Sequence, residues 1–529
     1  MKVSSFSGDT PFAYRFAQKM TMPKIGIEEA YRSIRNRLRH YSATSIIDAA
    51  LHTLWNAPAD PLEELKSAPW LTLLIVKWAL QDRGVSLRIG RPISVAEMDA
   101  IRQKLWDLPG QVRDEAPKNI FLALRTWMHV QVEFQRKESR TFMRWAALYA
   151  RMPQGGAERR QFRDAFGMEP DEFMVLSFAL YASVLHGNVP MGRDWMDPLR
   201  RTYGQKVDQI FDVFTRDVAS VRAELEKDAA QRIRGKNELY EFPYLKRFPL
   251  LQLRNGQIHC WHRLVFARGI EEIVHVRLSD LYGEKYTRSF SRVFETYVTE
   301  LARESRLSMM DEVEYKRIAG DQMSSVELIF DGDEDCNVFV EAKMSKFEDD
   351  TIVEDSAVWA HRKMRRVREA LEQGWKVSKA VRENPTLALR FDKRQDFLLI
   401  VTSRELYIGG GQALQRLVPE DARGYPNEEA ERRLPLSNVF VMGIEEFERL
   451  IGGVRVNEIS LPLLLRDAAA ANQDGSTSRT FFSDFFSERV QDTGWTLPQL
   501  LREAQERIDE QLAKAIGQSP NDDEQASAP

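Results

Sequence analysis

Residues Ser324-Ser325-Val326-Glu327-Leu328-Ile329-Phe330 lead into the polar stretch Asp331-Gly332-Asp333-Glu334-Asp335-Cys336, which is followed by Asn337-Val338-Phe339-Val340-Glu341-Ala342-Lys343. Two apolar runs around a polar, glycine-containing loop predict a β-hairpin. If Phe330 pairs with Val338, the same register sets Glu327 directly opposite Glu341, about 4.5–5.5 Å apart at Cβ. Like charges so placed repel, and a divalent cation held by oxygen ligands is the usual compensation. Strand alternation puts Lys343 on the same face as Glu341. Two carboxylates and an ammonium then converge at one sheet edge, a set suited to phosphodiester hydrolysis.

The tripeptide Glu-x-Lys is weak evidence alone, because it recurs at Glu64-Leu65-Lys66 and Glu314-Tyr315-Lys316. Only at 341–343 does it end an apolar strand whose partner carries an acid. Around the hairpin the pattern predicts a helix over 287–305, strand-like runs at 313–318, 326–330 and 338–341, and a long helix over 357–380. Strands at 397–402 and 439–442 and a short helix at 444–450 follow. This order predicts an α/β domain with a mixed central sheet flanked by helices.

These features resemble the PD-(D/E)xK nuclease superfamily, with its restriction-endonuclease-like fold. The helix Ser289-Phe290-Ser291-Arg292-Val293-Phe294-Glu295-Thr296-Tyr297-Val298 is similar to that family's first core helix, and Glu295 to its acid. Glu327 falls where the family usually has a metal-binding aspartate, and Glu341-Ala342-Lys343 matches the (D/E)xK element. One departure is plain: glutamate replaces aspartate at 327 and no proline precedes it. The resemblance implies a magnesium-dependent endonuclease, a hydrolase using Mg²⁺ or Mn²⁺, with Glu327 and Glu341 as metal ligands. Lys343 would position the attacking water and Glu295 would assist. DNA ranks ahead of RNA as the substrate, and a prokaryotic restriction or anti-phage (antiviral defence) effector is the biological role it suggests. The alternative is a scaffold or nucleic-acid-binding protein that keeps the fold without the chemistry.

The chain of 529 residues is long enough for several domains. Helical texture predicts an all-α N-terminal region over 1–234, and the resemblance implies that it senses, oligomerises, or docks a partner protein or nucleic acid. A β-hairpin connector is expected over 235–282, the nuclease-like domain over 283–455, a helical region over 456–516 and a disordered tail over 517–529. Recurrence of Ile210, Phe214, Val218, Val221 and Leu225 predicts one amphipathic helix. The scattered tryptophans of the N-terminal half read as helical core. Two cysteines suit a reducing cytoplasm, and the apolar runs near 70–80 and 174–185 are too short to span a membrane.

The net charge of −4 conceals a local asymmetry. Residues 327–355 hold eleven acids against Lys343 and Lys346, whereas 361–394 hold eleven Lys/Arg against four acids. Arg362, Arg365 and Arg366 fall opposite the apolar stripe Ala360, Met364, Val367 and Leu371. They are candidates for nucleic-acid backbone contacts. The acidic loop 331–335 lacks the spacing of a calcium loop, and His259, Cys260 and His262 lack zinc-pair spacing. Gly409-Gly410-Gly411 lacks the Lys-Ser/Thr of a P-loop and is expected to make a turn.

Overall fold

The computed structural model describes residues 26–56, 67–111, 120–135, 138–187, 189–231, 236–344, 352–353, 364–417, 433–456, 458–474, 477–487 and 497–517. Arg362 and the expected tail beyond 517 lie outside the described residues. The described residues begin with helices Ile27–Leu38, Ala43–Trp55, Pro69–Gln81 and Val95–Gln111. Pro69–Gln81 is apolar nearly all round and is therefore buried on every side. Its Lys77 is neutralised by an ion pair with buried Glu238. Among the described residues no helix is long and apolar enough to cross a membrane.

Helices α1 (Ile120–Glu133) and α2 (Glu138–Ala150) follow. Trp70 and Trp78 are core residues as expected, whereas Trp55, Trp106 and Trp127 remain exposed. The single helix expected through 210–225 is broken: Lys206–Phe214 and Val218–Gln231 flank strand β1 (Thr215–Asp217). The two halves serve different cores. Ile210 and Phe214 pack with residues of the large sheet, whereas Val221 and Leu225 pack with the first helices. Asp217 restarts the helix by accepting the Ser220 N–H at 2.7 Å, as an N-cap does. β1 then pairs in parallel with β2 (Leu250–Gln252), itself hairpinned to β3 (Ile258–Cys260) through Asn255-Gly256. Gly256 sits at φ +81°, the conformation that an Asn-Gly turn requires.

The large sheet follows α3 (Glu284–Arg303). It comprises β4 (Met309–Asp311), β5 (Leu328–Asp331), β6 (Cys336–Lys343), β7 (Gln395–Thr402), β8 (Gly409–Gly410) and β9 (Val439–Gly443), in the order β4-β5-β6-β7-β9-β8. β4, β5 and β6 are antiparallel neighbours, whereas β6, β7 and β9 run parallel. Helix α4 (Glu312–Ala319) connects β4 to β5, and α5 (Arg365–Glu383) lies in the crossover from β6 to β7. The strand-like run at 313–318 is therefore a helix. Its start is written locally, since Asp311 accepts the Glu314 N–H at 3.0 Å as an N-cap. The glycines at 409–410 form an edge strand rather than a simple turn; a Cβ on Gly410 would lie 3.1 Å from Asn472 and from the Val439 carbonyl.

β6 and β7 are apolar nearly throughout because helices cover both faces. Phe330, Val338, Val340, Leu399 and Val401 face α3 and helix α6 (Ile444–Arg455); Phe339, Leu398, Ile400 and Val441 face Val367, Leu371 and Val377 of α5. Each fully buried side chain of this kind contributes about 1.5–3 kcal/mol, which sets the hairpin register firmly. The first of these cores also contains residues 142–214 and the C-terminal helices Leu461–Gln473 and Gln499–Ile516, so the packing does not break at residue 234.

Candidate active site

The ladder pairs Leu328 with Val340 and Phe330 with Val338. Glu327 immediately precedes β5, and its carboxyl lies within hydrogen-bonding reach of the Glu341 carboxyl. Glu327 Oε2 accepts the Ala342 N–H at 2.8 Å, which draws this carboxylate against the (D/E)xK segment. Glu341 is 1% exposed. Lys343 Nζ donates to Glu341 Oε1, and at 2.8 Å to Gln373 Oε1 of α5. Gln373 in turn donates to the Ser325 carbonyl at 3.4 Å, bridging α5 to the segment that carries Glu327. Glu341 Oε2 is buried and takes no N–H donor, with the Glu327 carboxyl as its neighbour.

Electrostatics follow from this crowding. Burial, then the charge of Glu341, push the Glu327 carboxyl well above the ordinary range. Glu341 is also raised, again by burial first, although Lys343 opposes the shift. Glu295 projects from α3 close enough to feel both: burial and then Glu327 lift its pKa to about 7. The structure thus brings Glu327, Glu341 and Lys343 into contact, with Glu295 within electrostatic reach of them. Arg365 and Arg366 lie at the N-terminal end of α5, exposed, and both pair with Glu369, at 3.5 and 3.2 Å.

Two side chains of the site escape a reading of the hairpin alone. Gln373 anchors Lys343, and its only local sign is the neighbouring Gly374, a helix glycine whose Cβ would come within 2.6 Å of Leu398. Glu312 is the second. β4 pairs Asp311 with Leu328, and the Glu312 N–H donates to the Glu327 carbonyl at 2.9 Å, so Glu312 extends the row of acids across a third strand. Against the upward push of burial, hydrogen bonds from Lys316 and Ser325 hold Glu312 below its usual range. The sign available was Asp311-Glu312-Val313-Glu314, a helix-start pattern hidden inside what reads as a strand.

Magnesium usually takes one or two protein carboxylates and completes its shell with water and substrate oxygens. Among the described residues no three His, Cys, Asp or Glu side chains form a ready-made metal cluster. The Glu327–Glu341 pair, with one buried Glu341 oxygen that takes no N–H donor, fits the smaller demand. The weaker candidates are used otherwise. His262 Nδ1 accepts the Leu264 N–H at 3.2 Å to cap the helix Arg263–Tyr282, and Cys260 is buried. Asp331 and Asp333 are paired with Arg390, Lys393 and Arg466.

Comparison with protein-family models, with curated proteins and with solved structures gives no match. The geometry of the site therefore carries the functional argument.

Proposed function

We propose that this protein is a metal-dependent nuclease, a Mg²⁺- or Mn²⁺-dependent phosphodiesterase acting on DNA ahead of RNA. The observation that carries this reading is the meeting of Glu327, Glu341, Lys343 and Glu295 at one end of the mixed sheet. Support also comes from chain order: a helix, three antiparallel strands, a helix and a parallel strand, with the acids and the lysine at the positions that the resemblance implies.

In this reading Glu327 and Glu341 hold the cation. When bound, it supplies Lewis-acid polarisation of the phosphate and lowers the pKa of a coordinated water. Lys343, fixed between Glu341 and Gln373, directs its ammonium toward charge developing on the phosphate oxygens. Glu295, with a pKa of about 7, is suited to exchange a proton near neutral pH. A cytoplasmic location and a restriction or anti-phage role belong to the proposal by fold analogy alone.

A second reading, a scaffold without catalysis, is favoured by one observation: the Glu327 carboxylate already serves the backbone by holding Ala342 N–H. Incubating purified protein with plasmid DNA and with RNA, with Mg²⁺, Mn²⁺ or chelator, separates the two. Cleavage should require the cation and vanish in Lys343→Ala while the thermal unfolding profile is kept. Equal cleavage by the variant would refute the mechanism, and absence of cleavage by the parent protein would favour the scaffold.

A further inference from the structure

The polar side of α3 is not uniform. Arg288, Arg292, Glu295 and Thr299 follow one another at four-, three- and four-residue steps, which places them on one stripe of the helix. Phe290, Val293, Phe294 and Tyr297, on the opposite side, are buried in the core. Glu295 therefore ends a line of arginines that begins near the start of the helix.

The stripe is also tied to the strand that carries the site. Ser291 Oγ donates to the Met344 carbonyl at 3.5 Å, so β6 leaves the sheet, just past Lys343, beside the turn that holds Arg292. Glu295, three residues on, senses both Glu327 and Lys343 electrostatically. Arg292 lies one helical turn before Glu295 on α3.

The counter-ions differ between the two basic surfaces. Arg365 and Arg366 share Glu369. Arg292 is exposed and makes no ion pair or hydrogen bond among the described residues, although its charge acts on Glu295. Arg288 meets only Glu284, at 3.9 Å, with both side chains mostly in solvent, a geometry that contributes little. At the other end of the helix, Arg303 is committed to Asp311 at 2.9 Å. Among the described residues, Arg292 thus has no paired counter-ion and Arg288 has only a solvent-exposed one.

Their spacing suits a phosphate chain. Along a helix, Arg292 lies about 4.5 Å and Arg288 about 10.5 Å from Glu295 in axial projection. The interval between the arginines, about 6 Å, is close to the axial rise of two nucleotides in one strand of a duplex. Guanidinium groups can also grip phosphate oxygens bidentately.

We infer that Arg288 and Arg292 form a phosphate track along α3, which leads a nucleic-acid strand into the cluster at Glu295, Glu327 and Glu341. This inference rests on the nuclease reading and adds to it the direction of approach. The strand runs along α3, and Arg365 and Arg366 of α5 are peripheral to it.

The test is fluorescence anisotropy with labelled duplex DNA, single-stranded DNA and RNA. Full-length protein is measured in chelator, where cleavage is silenced, over about 50 to about 200 mM salt. Arg288→Ala/Arg292→Ala should weaken binding about tenfold and flatten the log–log salt slope by about 1.8 on duplex or about 1.4 on single strands, the loss of two phosphate contacts. Arg288→Lys/Arg292→Lys should keep most of the slope, and Arg365→Ala/Arg366→Ala should leave it nearly unchanged. A double alanine variant with parental affinity and slope would overturn the track, whatever the enzyme cleaves. A stronger effect from the Arg365/Arg366 pair would overturn it as well. A parent protein that binds along this stripe yet cuts nothing would leave the track standing and defeat the nuclease reading. Both positions are exposed, so circular dichroism and thermal melting should not change. An altered melt would be resolved by the lysine variant, which keeps the charge.

Discussion

Glu327 Oε2 holds the Ala342 N–H at 2.8 Å, between Glu341 and Lys343 on the neighbouring strand. A half-buried acid is thereby pinned against a buried one by a backbone donor, and the ammonium of Lys343 is shared with Gln373.

The first prediction concerns this shared lysine. Gln373→Ala removes one of the two acceptors that aim Lys343 Nζ. Hydrogen bonds to charged groups are worth about 1.5–3 kcal/mol, so cleavage should fall about 10- to 100-fold if the orientation matters in the transition state. Nucleic-acid affinity in chelator should stay unchanged. A parallel loss of affinity would mean that Gln373 binds substrate and does not position the lysine.

The second is a dependence of stability on pH. Glu295, Glu327 and Glu341 all have folded pKa values above the ordinary glutamate range, Glu295 at about 7. For a raised acid, the stabilising contribution is complete below the unfolded pKa and is lost as pH rises through the folded one. Without divalent cations, thermal stability should therefore decline from about pH 5 through neutrality, and Glu327→Gln should flatten that decline. Saturating Mg²⁺ should oppose it, because a bound cation favours the charged carboxylates. Unfolding monitored by calorimetry at several pH values, with and without Mg²⁺, checks both statements. A wild-type profile that is flat without metal would contradict them.

A third prediction concerns a separate buried pair. Glu405, just beyond β7, accepts the N–H groups of Tyr407 at 2.7 Å and Gly443 at 3.0 Å. Glu446, in the first turn of α6, accepts the Ser483 N–H at 2.8 Å and lies within hydrogen-bonding reach of Glu405. Burial first, and then the charge of Glu405, raise Glu446 well above the ordinary range, and burial raises Glu405 as well, so the pair retains a proton. The amide of Glu446→Gln can donate in its place. That variant should match the wild type at about pH 5 and exceed it progressively as pH rises, because the wild-type proton is then lost. Glu446→Ala strands the Ser483 donor and should cost about 1–3 kcal/mol.

A fourth tests how the N-terminal helices brace the site. Arg144 of α2 reaches Glu448 of α6 with two hydrogen bonds, at 2.6 and 2.7 Å, and Tyr297 of α3 donates to the same carboxylate at 2.7 Å. Arg144 and Glu448 are both buried. Arg144→Ala leaves an uncompensated buried charge and should destabilise by about 3–5 kcal/mol in urea unfolding. Arg144→Met with Glu448→Leu should recover most of that loss. Because Tyr297 lies two residues from Glu295, the single variant should also reduce cleavage at temperatures where it is still folded.

Finally, Gly374→Ala tests the close approach of α5 to β7. The new Cβ would meet Leu398 Cδ2 at 2.6 Å and Cδ1 at 2.9 Å. Overpacking of this kind costs about 1–3 kcal/mol, while alanine regains about 1 kcal/mol of helix propensity. The net stability change should be small and unfavourable. Cleavage should fall further than stability, because any shift of α5 moves Gln373.

The hairpin and its register were legible in the sequence because a period of two leaves little freedom. With Phe330, Val338 and Val340 required inside, a one-residue slip would expose all of them. That register alone places Glu327 opposite Glu341 and puts Lys343 on the same face. The helix carrying Glu295 was legible for a similar reason, since its apolar residues recur at helical spacing. Only the tertiary structure decided which further side chains join the cluster. Glu312 opens α4 directly after β4, a strand of three residues too short to show a period, and α4 contains enough β-branched and aromatic residues to imitate a strand. Gln373 comes from the middle of a crossover and meets Lys343 only once α5 is seated on the sheet. The same limit applies to 210–225: one helical period runs unbroken through Phe214 and Val218, yet the chain divides there between two cores. Local spacing records which face of a segment is apolar. It does not record which of two hydrophobic surfaces that face will meet, and that choice is made by packing across the whole chain.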